Sequence, residues 1–552
     1  MIVLNRVDIA VTALSLVLLF SLYFFSRRST HKNLRGPPAP SYLLGLEYEL
    51  QTKTFEEGFV RWSKEYGTAY RLQGCLGETM LVVSDPLAIH RILHESLQDY
   101  PAAADVRRLF EMIFGKGVIS VKGEDHKRHR RVLGPAFSIN HMRQFLPLFQ
   151  RHVNHLSEKW DTVLQGKTQT IDIILWLHKL ALDIVGESAF NYHFDALNNK
   201  PNELTTALYA FEKLAGEHTP TMTLIQAILR HIPDSIVSWK TKHFPFHGDK
   251  VVKRFLEVSN EKAREFLKKA GLDLDLDSNE AKDETGMERD ILSILARANR
   301  AEDPRKRLSE EEMLSQMSTI IQAGHHTTGY TISWILYQLA AHPEDQAKVY
   351  EEIRQARERN SGDFTSSDYD SMNHLNLVIK ETFRLHPPVP KLEREASKND
   401  ILLLDFPVVC RDGTTIDAVP VRKGQRIKVD ITSYNRLESV WGEDADSWNP
   451  KRFEPISTHP NGKEQTQVGL FANVLTFSGG PKGCLGWRFA LMELQAMTVG
   501  LVERYEFSTV TDVEIEAGSI GSQTAVMVVP SVKGKHMEGP KLPLKVTARA
   551  AV

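Results

Sequence analysis

One of the three cysteines in this chain stands in a setting that could make its thiol reactive. Cys484 lies in the segment FSGGPKGCLG, which runs from Phe477 to Gly486 and precedes a helical pattern. The small residues allow the backbone to approach a bulky planar ligand and to direct amide N–H groups at the sulfur, and the start of the next helix adds positive potential. The segment therefore predicts a thiolate at Cys484. The alternative is a glycine-rich turn around a buried cysteine.

A second group of polar residues interrupts a long apolar helical pattern. Gly324, Thr327 and Thr328 are weak helix formers within MSTIIQAGHHTTGYTISWILYQLAAH, so we expect a local opening of the helix there. The adjacent His325 and His326 raise the alternative of a zinc site. Neighbours on a helix point about 100° apart, and no nearby Cys or Asp completes a ligand set, which disfavours zinc.

Two opposite charges also have a spacing that could matter. Glu381 and Arg384 are three residues apart, which places them on one face of a helix as a pair. If the pair were exposed, it would contribute only about a few tenths of a kcal/mol.

These motifs together resemble those of the cytochrome P450 family. The cysteine segment is similar to the family's Phe-x-x-Gly-x-Arg-x-Cys-x-Gly at Phe477, Gly480, Cys484 and Gly486. The resemblance makes Cys484 the axial ligand of a haem iron, with Phe477 and Gly480 among the haem-binding residues. Lys482 stands where arginine is usual, and it keeps a positive charge for a haem propionate but loses the bidentate geometry of arginine.

Four more stretches match the family in its own order and extend the resemblance over nearly the whole chain. Glu381 and Arg384 look like the family's Glu-x-x-Arg pair, which an arginine from a downstream loop completes. Arg452 is the residue that we assign to this ion network. Between these two stretches, Arg394 sits where family members place an arginine on a haem propionate.

The remaining two stretches lie upstream. GEDHKRHRR resembles the helix that crosses the haem edge, in which Arg130 fits the family's Trp-x-x-x-Arg and His126 replaces the tryptophan with an N–H that can still reach a carboxylate. The alternative is a solvated basic helix. AGHHTT resembles the oxygen-activation motif, with His326 in place of the usual acid. The resemblance therefore predicts Thr327 and His326 as catalytic residues that deliver protons, His326 through a neutral imidazole.

The resemblance implies a mainly α fold with a small β region, in which haem b lies between the long helix and the cysteine segment. It implies a monooxygenase that inserts one oxygen atom of dioxygen into a lipophilic small molecule, with electrons from NADPH–cytochrome P450 reductase, since the sequence has no GxGxxG fingerprint. The motifs resemble those of fungal microsomal members, which implies secondary metabolism. Two alternatives are a member that rearranges peroxides without a reductase and a haem protein for sensing or electron transfer.

By the same resemblance, four apolar stretches would form the access and substrate-recognition surface, and they predict a hydrophobic substrate. They are residues 101–121, 219–237, 389–392 and 518–524.

The elements that must position these residues are mainly helices. Apolar residues recur at helical spacing from residue 54 to about 396, and strand-like runs such as residues 79–84 are short. The longest helix is expected after Ser309, which can cap it together with Glu312, and before Pro343.

The amino-terminal segment predicts a transmembrane anchor helix. Residues 9–25 carry no charge and are long enough to cross a thin bilayer as a helix. We assign residues 1–26 to the anchor, 27–40 to a basic and proline-rich linker, and 41–552 to the haem-binding monooxygenase domain. Basic residues follow the apolar stretch, so the positive-inside rule places the catalytic domain in the cytosol, on a single-pass anchor in the endoplasmic reticulum membrane.

Composition excludes several other classes of protein. A net charge of -2, from 68 basic and 70 acidic residues, gives no electrostatic footprint for nucleic acid. Cys75, Cys410 and Cys484 are widely separated, which argues against a disulfide framework. Residues 273–284 imitate a calcium loop, but Ser278 stands where that loop needs glycine, so a solvated connector is the favoured interpretation.

Overall fold

The computed structural model describes residues 31–54, 56–215, 219–269, 290–454, 466–521 and 526–550. The predicted anchor (1–26), the start of the predicted linker and the calcium-like stretch at 273–284 lie outside the described residues. None of the described helices is both long and apolar enough to cross a bilayer. The anchor therefore stays a prediction.

The described part of the chain is mainly helical, as the apolar spacing predicts. The helices are α1 (Glu49–Thr52), α2 (Arg61–Tyr66), α3 (Pro86–His90), α4 (Ala104–Phe114), α5 (Gly123–Leu133), α6 (Ile139–Met142), α7 (Leu146–Leu164), α8 (Ile173–Phe190), α9 (Glu203–Ala215), α10 (Pro220–Leu229), α11 (Asp234–His243), α12 (His247–Lys269), α13 (Ile291–Ala301), α14 (Glu310–Ala341), α15 (Pro343–Arg359), α16 (Ser366–Ser371), α17 (Asn373–Leu385), α18 (Ile431–Tyr434), α19 (Glu438–Trp441) and α20 (Trp487–Arg504).

The strands form small sheets at the edge of the helical body. They are β1 (Ala69–Gln73), β2 (Thr79–Val83), β3 (Gln169–Asp172), β4 (Lys391–Glu395), β5 (Asp400–Val409), β6 (Thr415–Val421), β7 (Arg426–Asp430), β8 (Tyr505–Thr509), β9 (Ile515–Gly521), β10 (Val526–Val532) and β11 (Pro543–Ala548). The largest described sheet has the order β1-β2-β7-β4, with β2 and β7 parallel. The other described sheets are β5-β6, β9-β10 and β3-β11-β8.

Helix α14 runs through the centre of the molecule for 32 residues, which is about 48 Å. The Ser309 hydroxyl accepts from the Glu312 N–H at 3.3 Å, and the Glu312 carboxylate accepts from the Ser309 N–H at 2.8 Å. His342 follows the last turn, and Pro343 begins α15. The predicted capping box and both ends of this helix are confirmed.

The predicted local opening of α14 is wrong, because the helix is continuous. The Thr327 hydroxyl donates to Ala323 O at 2.8 Å, so it is satisfied within the helix. Gly329 serves close packing instead, since a Cβ there would lie 2.5 Å from the ring of His178 on α8. Weak helix formers are tolerated here because neighbouring helices hold α14 in place.

The first described residues already pack against the sheet. Leu34 is 3% exposed and belongs to an apolar cluster with Leu81 and Val83 of β2. Arg35 O accepts from the Arg71 N–H of β1 at 2.8 Å. Part of the segment predicted as a linker therefore contributes to the globular body from residue 31 onward.

This packing predicts that two amino-terminal deletions will differ in stability. Removing residues 1–30 keeps Leu34 and its contacts, so the haem-loaded protein should unfold at the temperature of the full chain. Removing residues 1–35 loses the burial of one leucine, which should lower the free energy of unfolding by about 2 kcal/mol. Thermal unfolding of both proteins tests this, and Leu34→Ala in the shorter deletion should reproduce most of the loss. Equal melting temperatures for the two deletions would contradict it.

Candidate active site

A cavity of about 1820 Å³ separates α14 from the loop that precedes α20. Ala323, Gly324 and Thr327 line it from α14, and Phe477 and Cys484 line it from the loop. Ala323 is exposed to this space, although it belongs to the central helix. The fold thus brings together two segments that are far apart in the sequence.

The Cys484 thiol faces the cavity. Its side chain is exposed, and the surface that it reaches is the cavity wall. The Cys484 N–H donates to Phe477 O at 2.9 Å, and the Gly486 N–H is directed at the sulfur just before α20 begins. Burial raises the pKa of this thiol, and the Gly486 N–H and Arg130 oppose that rise. The loop therefore prepares a sulfur that a metal ion could deprotonate on binding.

The structure separates the roles of two predicted haem-binding residues. Phe477 lines the cavity and packs edge-to-face on Phe383, with ring centroids 4.7 Å apart. Gly480 is not among the cavity-lining residues. It has a φ of 65°, and a Cβ there would lie 2.0 Å from Leu93 O. The turn therefore requires glycine at position 480, because of the positive φ and because the backbone of Leu93 passes so close.

Four predicted haem-binding side chains with basic character line the cavity beside this loop, namely His126, Arg130, Arg394 and Lys482. Arg130 Nη1 donates to Gly483 O at 2.9 Å and so connects α5 to the cysteine loop. His126 is buried, which excludes a fully solvated basic helix for this face of α5.

Burial and mutual repulsion act on these basic groups. Burial lowers the pKa of His126 to about 4, with further contributions from Lys482 and Arg130. Burial also lowers the pKa of Lys482 to about 8, helped by the charges of Arg394 and Arg107. The buried Arg394 Nε has no hydrogen-bond partner among the described residues. A negatively charged group at this position would therefore find an unpaired donor, Arg394 Nε, and compensating positive charge.

The residues of the cavity fit a haem. Apolar side chains line most of the space, as the body of a large planar group requires. The basic cluster can receive two propionates, whose charge would offset the repulsion and satisfy Arg394 Nε. A thiol lies on the wall opposite the glycine and threonine of α14.

The two predicted catalytic residues of α14 point to different partners. The Thr327 hydroxyl donates to Ala323 O and lines the cavity. His326 Nε2 lies 3.0 Å from Glu212 Oε1, and its Nδ1 lies 3.3 Å from Nδ1 of His178. The role of each in proton delivery stays a prediction.

Glu212, on α9, is a site residue that the sequence did not reveal. It also contacts His325, whose Nε2 lies 3.3 Å from Glu212 Oε1. The expectation that adjacent histidines diverge is wrong here, since the rings of His325 and His326 have centroids 3.8 Å apart and meet at one carboxylate. The contact joins α9 to α14, two helices that are distant in the sequence. No local motif could therefore have predicted it.

The predicted ion network is present and buried. Glu381 and Arg384 on α17 are both 0% exposed, and two hydrogen bonds of 2.8 Å join them. Arg452 Nε donates to Glu381 Oε1 at 3.2 Å, which confirms its assignment. The network ties the end of α17 to the segment that leads to the cysteine loop.

Comparisons with known proteins agree with this geometry. The cytochrome P450 family model matches residues 34–536. Cytochrome P450 monooxygenase 128 of Postia placenta is 33% identical over 525 residues, which cover 93% of this chain and 92% of that protein. Cytochrome P450 monooxygenase 219 of the same fungus is 31% identical, with 93% of each chain covered. Cytochrome P450 monooxygenase claU of Ampulloclitocybe clavipes is 27% identical, with 96% of this chain and 97% of that protein covered. The chain is similar to these fungal enzymes over nearly its whole length.

Proposed function

The chain belongs to the cytochrome P450 family and is an enzyme with haem b as its cofactor, and from this premise we propose that it inserts one oxygen atom of dioxygen into a lipophilic small molecule. The observation that carries the proposal is the Cys484 thiol, which faces Thr327 and Gly324 across an apolar cavity. When bound, a thiolate-ligated haem supplies the reductive splitting of dioxygen.

The residues around the cavity take the following roles in the proposal. Cys484 would hold the haem iron through its thiolate, and the Gly486 N–H and Arg130 would stabilise the negative charge on the sulfur. Arg394 and Lys482, together with His126, line the cavity beside the cysteine loop and would hold the propionates. Phe477 contributes a buried apolar ring to the cavity wall.

A lipophilic substrate is proposed from the lining of the cavity. Residues from each of the four predicted recognition stretches reach it, namely Leu109, Leu229, Val389 and Ile520 among others. These side chains come from α4, α10, the segment before β4, and β9. Apolar walls of this kind bind hydrophobic molecules chiefly by removing their surface from water.

We propose NADPH–cytochrome P450 reductase as the electron donor and the endoplasmic reticulum membrane as the location. The support for both is the sequence, which has no flavin or nicotinamide fingerprint and has an apolar segment followed by basic residues. The named relatives come from fungi, which agrees with the proposal of a role in fungal secondary metabolism.

One experiment tests the activity and separates it from its alternatives. Lipophilic compounds are screened for spin-state shifts of the purified haem protein, and those that bind are then incubated with reductase and NADPH. A monooxygenase will consume NADPH and dioxygen and release an oxygenated product. A peroxide-rearranging enzyme will convert a peroxide without NADPH, and a sensor or electron carrier will form no product. Either of the last two results would overturn the proposal.

Thr327→Ala should divert reducing equivalents from product to hydrogen peroxide. Positioned proton transfer contributes about a hundredfold or more to a reaction, so losing the hydroxyl should lower the product formed per NADPH by about tenfold or more. Thr327→Ser should restore most of this ratio. Thr162→Ala is the matched control, since the Thr162 hydroxyl makes the same kind of contact, with Glu158 O, on the exposed face of α7. Unchanged product per NADPH in Thr327→Ala would contradict the role of Thr327.

A separate prediction concerns proton transfer by the His326 imidazole. If its imidazole carries protons, His326→Ala should slow oxygen activation and His326→Asp should largely restore it. The rate of NADPH consumption with a bound substrate is the quantity to measure. An unchanged rate and unchanged product per NADPH in His326→Ala would exclude proton transfer through His326. The haem-thiolate proposal would stay intact.

A further inference from the structure

Two imidazoles and one carboxylate converge between α9 and α14. Nε2 of His325 lies 3.3 Å from Glu212 Oε1, and Nε2 of His326 lies 3.0 Å from the same oxygen. His325 is buried, and His326 and Glu212 are at most one-quarter exposed. We call these three residues the α9–α14 cluster.

The hydrogen bonds of His325 determine which of its nitrogens is free. Its Nδ1–H donates to Ile321 O at 2.6 Å, since a carbonyl can only accept. In a neutral imidazole, Nε2 then carries a lone pair, and that lone pair is directed at the Glu212 carboxylate. Two acceptors this close repel each other unless a cation lies between them.

His326 can present a lone pair in the same way. Its Nδ1 lies 3.3 Å from Nδ1 of His178, so an Nδ1–H of His326 can donate to His178 and leave Nε2 of His326 free.

We propose that Glu212, His325 and His326 bind a divalent transition-metal ion such as Zn²⁺, apart from the haem iron. Two ligands about 2.0–2.1 Å from a tetrahedral ion stand about 3.3 Å from each other, and the observed separations from Glu212 Oε1 are 3.0 and 3.3 Å. Two histidines and one glutamate are a known zinc ligand set. The contact of each ring's second nitrogen, with Ile321 O or with His178, is the kind that orients metal-binding histidines.

The ion would connect two walls of the cavity. Phe211 and Leu214 of α9 line it beside Glu212, and His326 and Thr327 line it from α14. An ion held by both helices would fix the distance between the α9 wall of the cavity and the helix that carries Thr327. Glu212 and His326 both reach the cavity, so water or a bound molecule can supply a fourth donor. Zinc bound at Nε2 of His326 would exclude this imidazole as a proton carrier, and it would leave the haem-thiolate proposal unchanged.

Zinc binding to the haem-loaded, full-length protein without a histidine tag tests the proposal. After treatment with a chelator, the protein is titrated with zinc chloride in a calorimeter, and bound zinc and iron are counted by mass spectrometry. We expect one zinc per haem. Glu212→Gln and His325→Gln should each weaken zinc binding at least about a hundredfold, beyond the usual cost of losing a second-shell partner. His155→Gln is the matched control, since His155 lies 3.5 Å from Glu158 on the surface.

The wild-type protein offers a second measurement in case the variants fold poorly. X-ray absorption at the zinc edge should show imidazole and oxygen ligands at about 2.0–2.1 Å. Absence of stoichiometric zinc would overturn the proposal. Sulfur ligation, or zinc binding that survives both substitutions, would also overturn it, because the metal would then be held elsewhere.

Discussion

Cys484→Ser will abolish the absorption spectrum typical of a thiolate-ligated ferrous carbon monoxide complex, and monooxygenase activity will fall to background. The expected loss is complete because the sulfur is the electronic contribution of the protein to the iron, and a serine hydroxyl does not replace a thiolate as an electron donor. Cys484 is the cysteine of the chain that lines the cavity, with its backbone N–H bonded to Phe477 O. The reduced carbon monoxide spectrum and total haem content are measured together.

A matched control separates loss of the ligand from loss of the fold. Cys410 is a free and buried cysteine in a different apolar cluster, so Cys410→Ala should keep both the haem content and the thiolate spectrum. Haem content alone does not decide the question for Cys484→Ser, because the basic cluster can still hold the propionates. A Cys484→Ser protein that retains the thiolate spectrum would contradict the assignment of Cys484 as the ligand of the haem iron.

Local spacing predicted the parts of the fold whose interactions are local. Ser309 and Glu312 lie within one helical turn, and their capping box starts α14 as expected. Glu381 and Arg384 lie on one face of α17, and their pairing needs only the helix to form. Arg452 is more distant in the sequence. The resemblance to the cytochrome P450 family, rather than any spacing, connects it to that pair.

The contacts that sequence patterns missed all join segments through tertiary packing. Glu212 on α9 reaches His325 and His326 on α14 through its side chain, and nothing in its own helix indicates this contact. Gly480 is in a haem-binding motif, yet what requires glycine there is the close approach of Leu93 O, which leaves no space for a Cβ. Leu34 lies in a stretch whose sequence predicts a linker. Its burial comes from the apolar cluster that it forms with Leu81 and Val83.

The buried ion network carries the second large prediction. Both oxygens of Glu381 are engaged, with Arg384, Arg452 and the Asn449 N–H. Arg384 also donates to Asn435 O at 2.8 Å, so one guanidinium holds α17 to the turn after α18. Such a network positions the chain that leads into the cysteine loop, and each charge in it depends on the others for compensation.

Glu381→Ala or Arg384→Ala should therefore abolish haem incorporation rather than slow turnover. Removing one partner leaves the other charge buried without compensation, at a cost of about 3–5 kcal/mol. That is a large share of the about 5–15 kcal/mol that stabilises a typical domain. Arg384→Lys should rescue little, because an ammonium cannot make the two parallel hydrogen bonds that Arg384 makes with Glu381. The yield of haem-loaded protein and its thermal unfolding are the measurements.

The chain offers a control with the same spacing in a different environment. Glu351 and Arg354 are also three residues apart, on α15, and their side chains are 47% and 44% exposed. Water and salt screen such a pair, so Glu351→Ala and Arg354→Ala should leave haem content and melting temperature unchanged. A normal yield of haem-loaded protein from Glu381→Ala would mean that the Glu381–Arg384 pair contributes no more than the exposed pair of Glu351 and Arg354. Loss from the α17 variants alone shows that burial, rather than the Glu-x-x-Arg spacing, makes the pair essential.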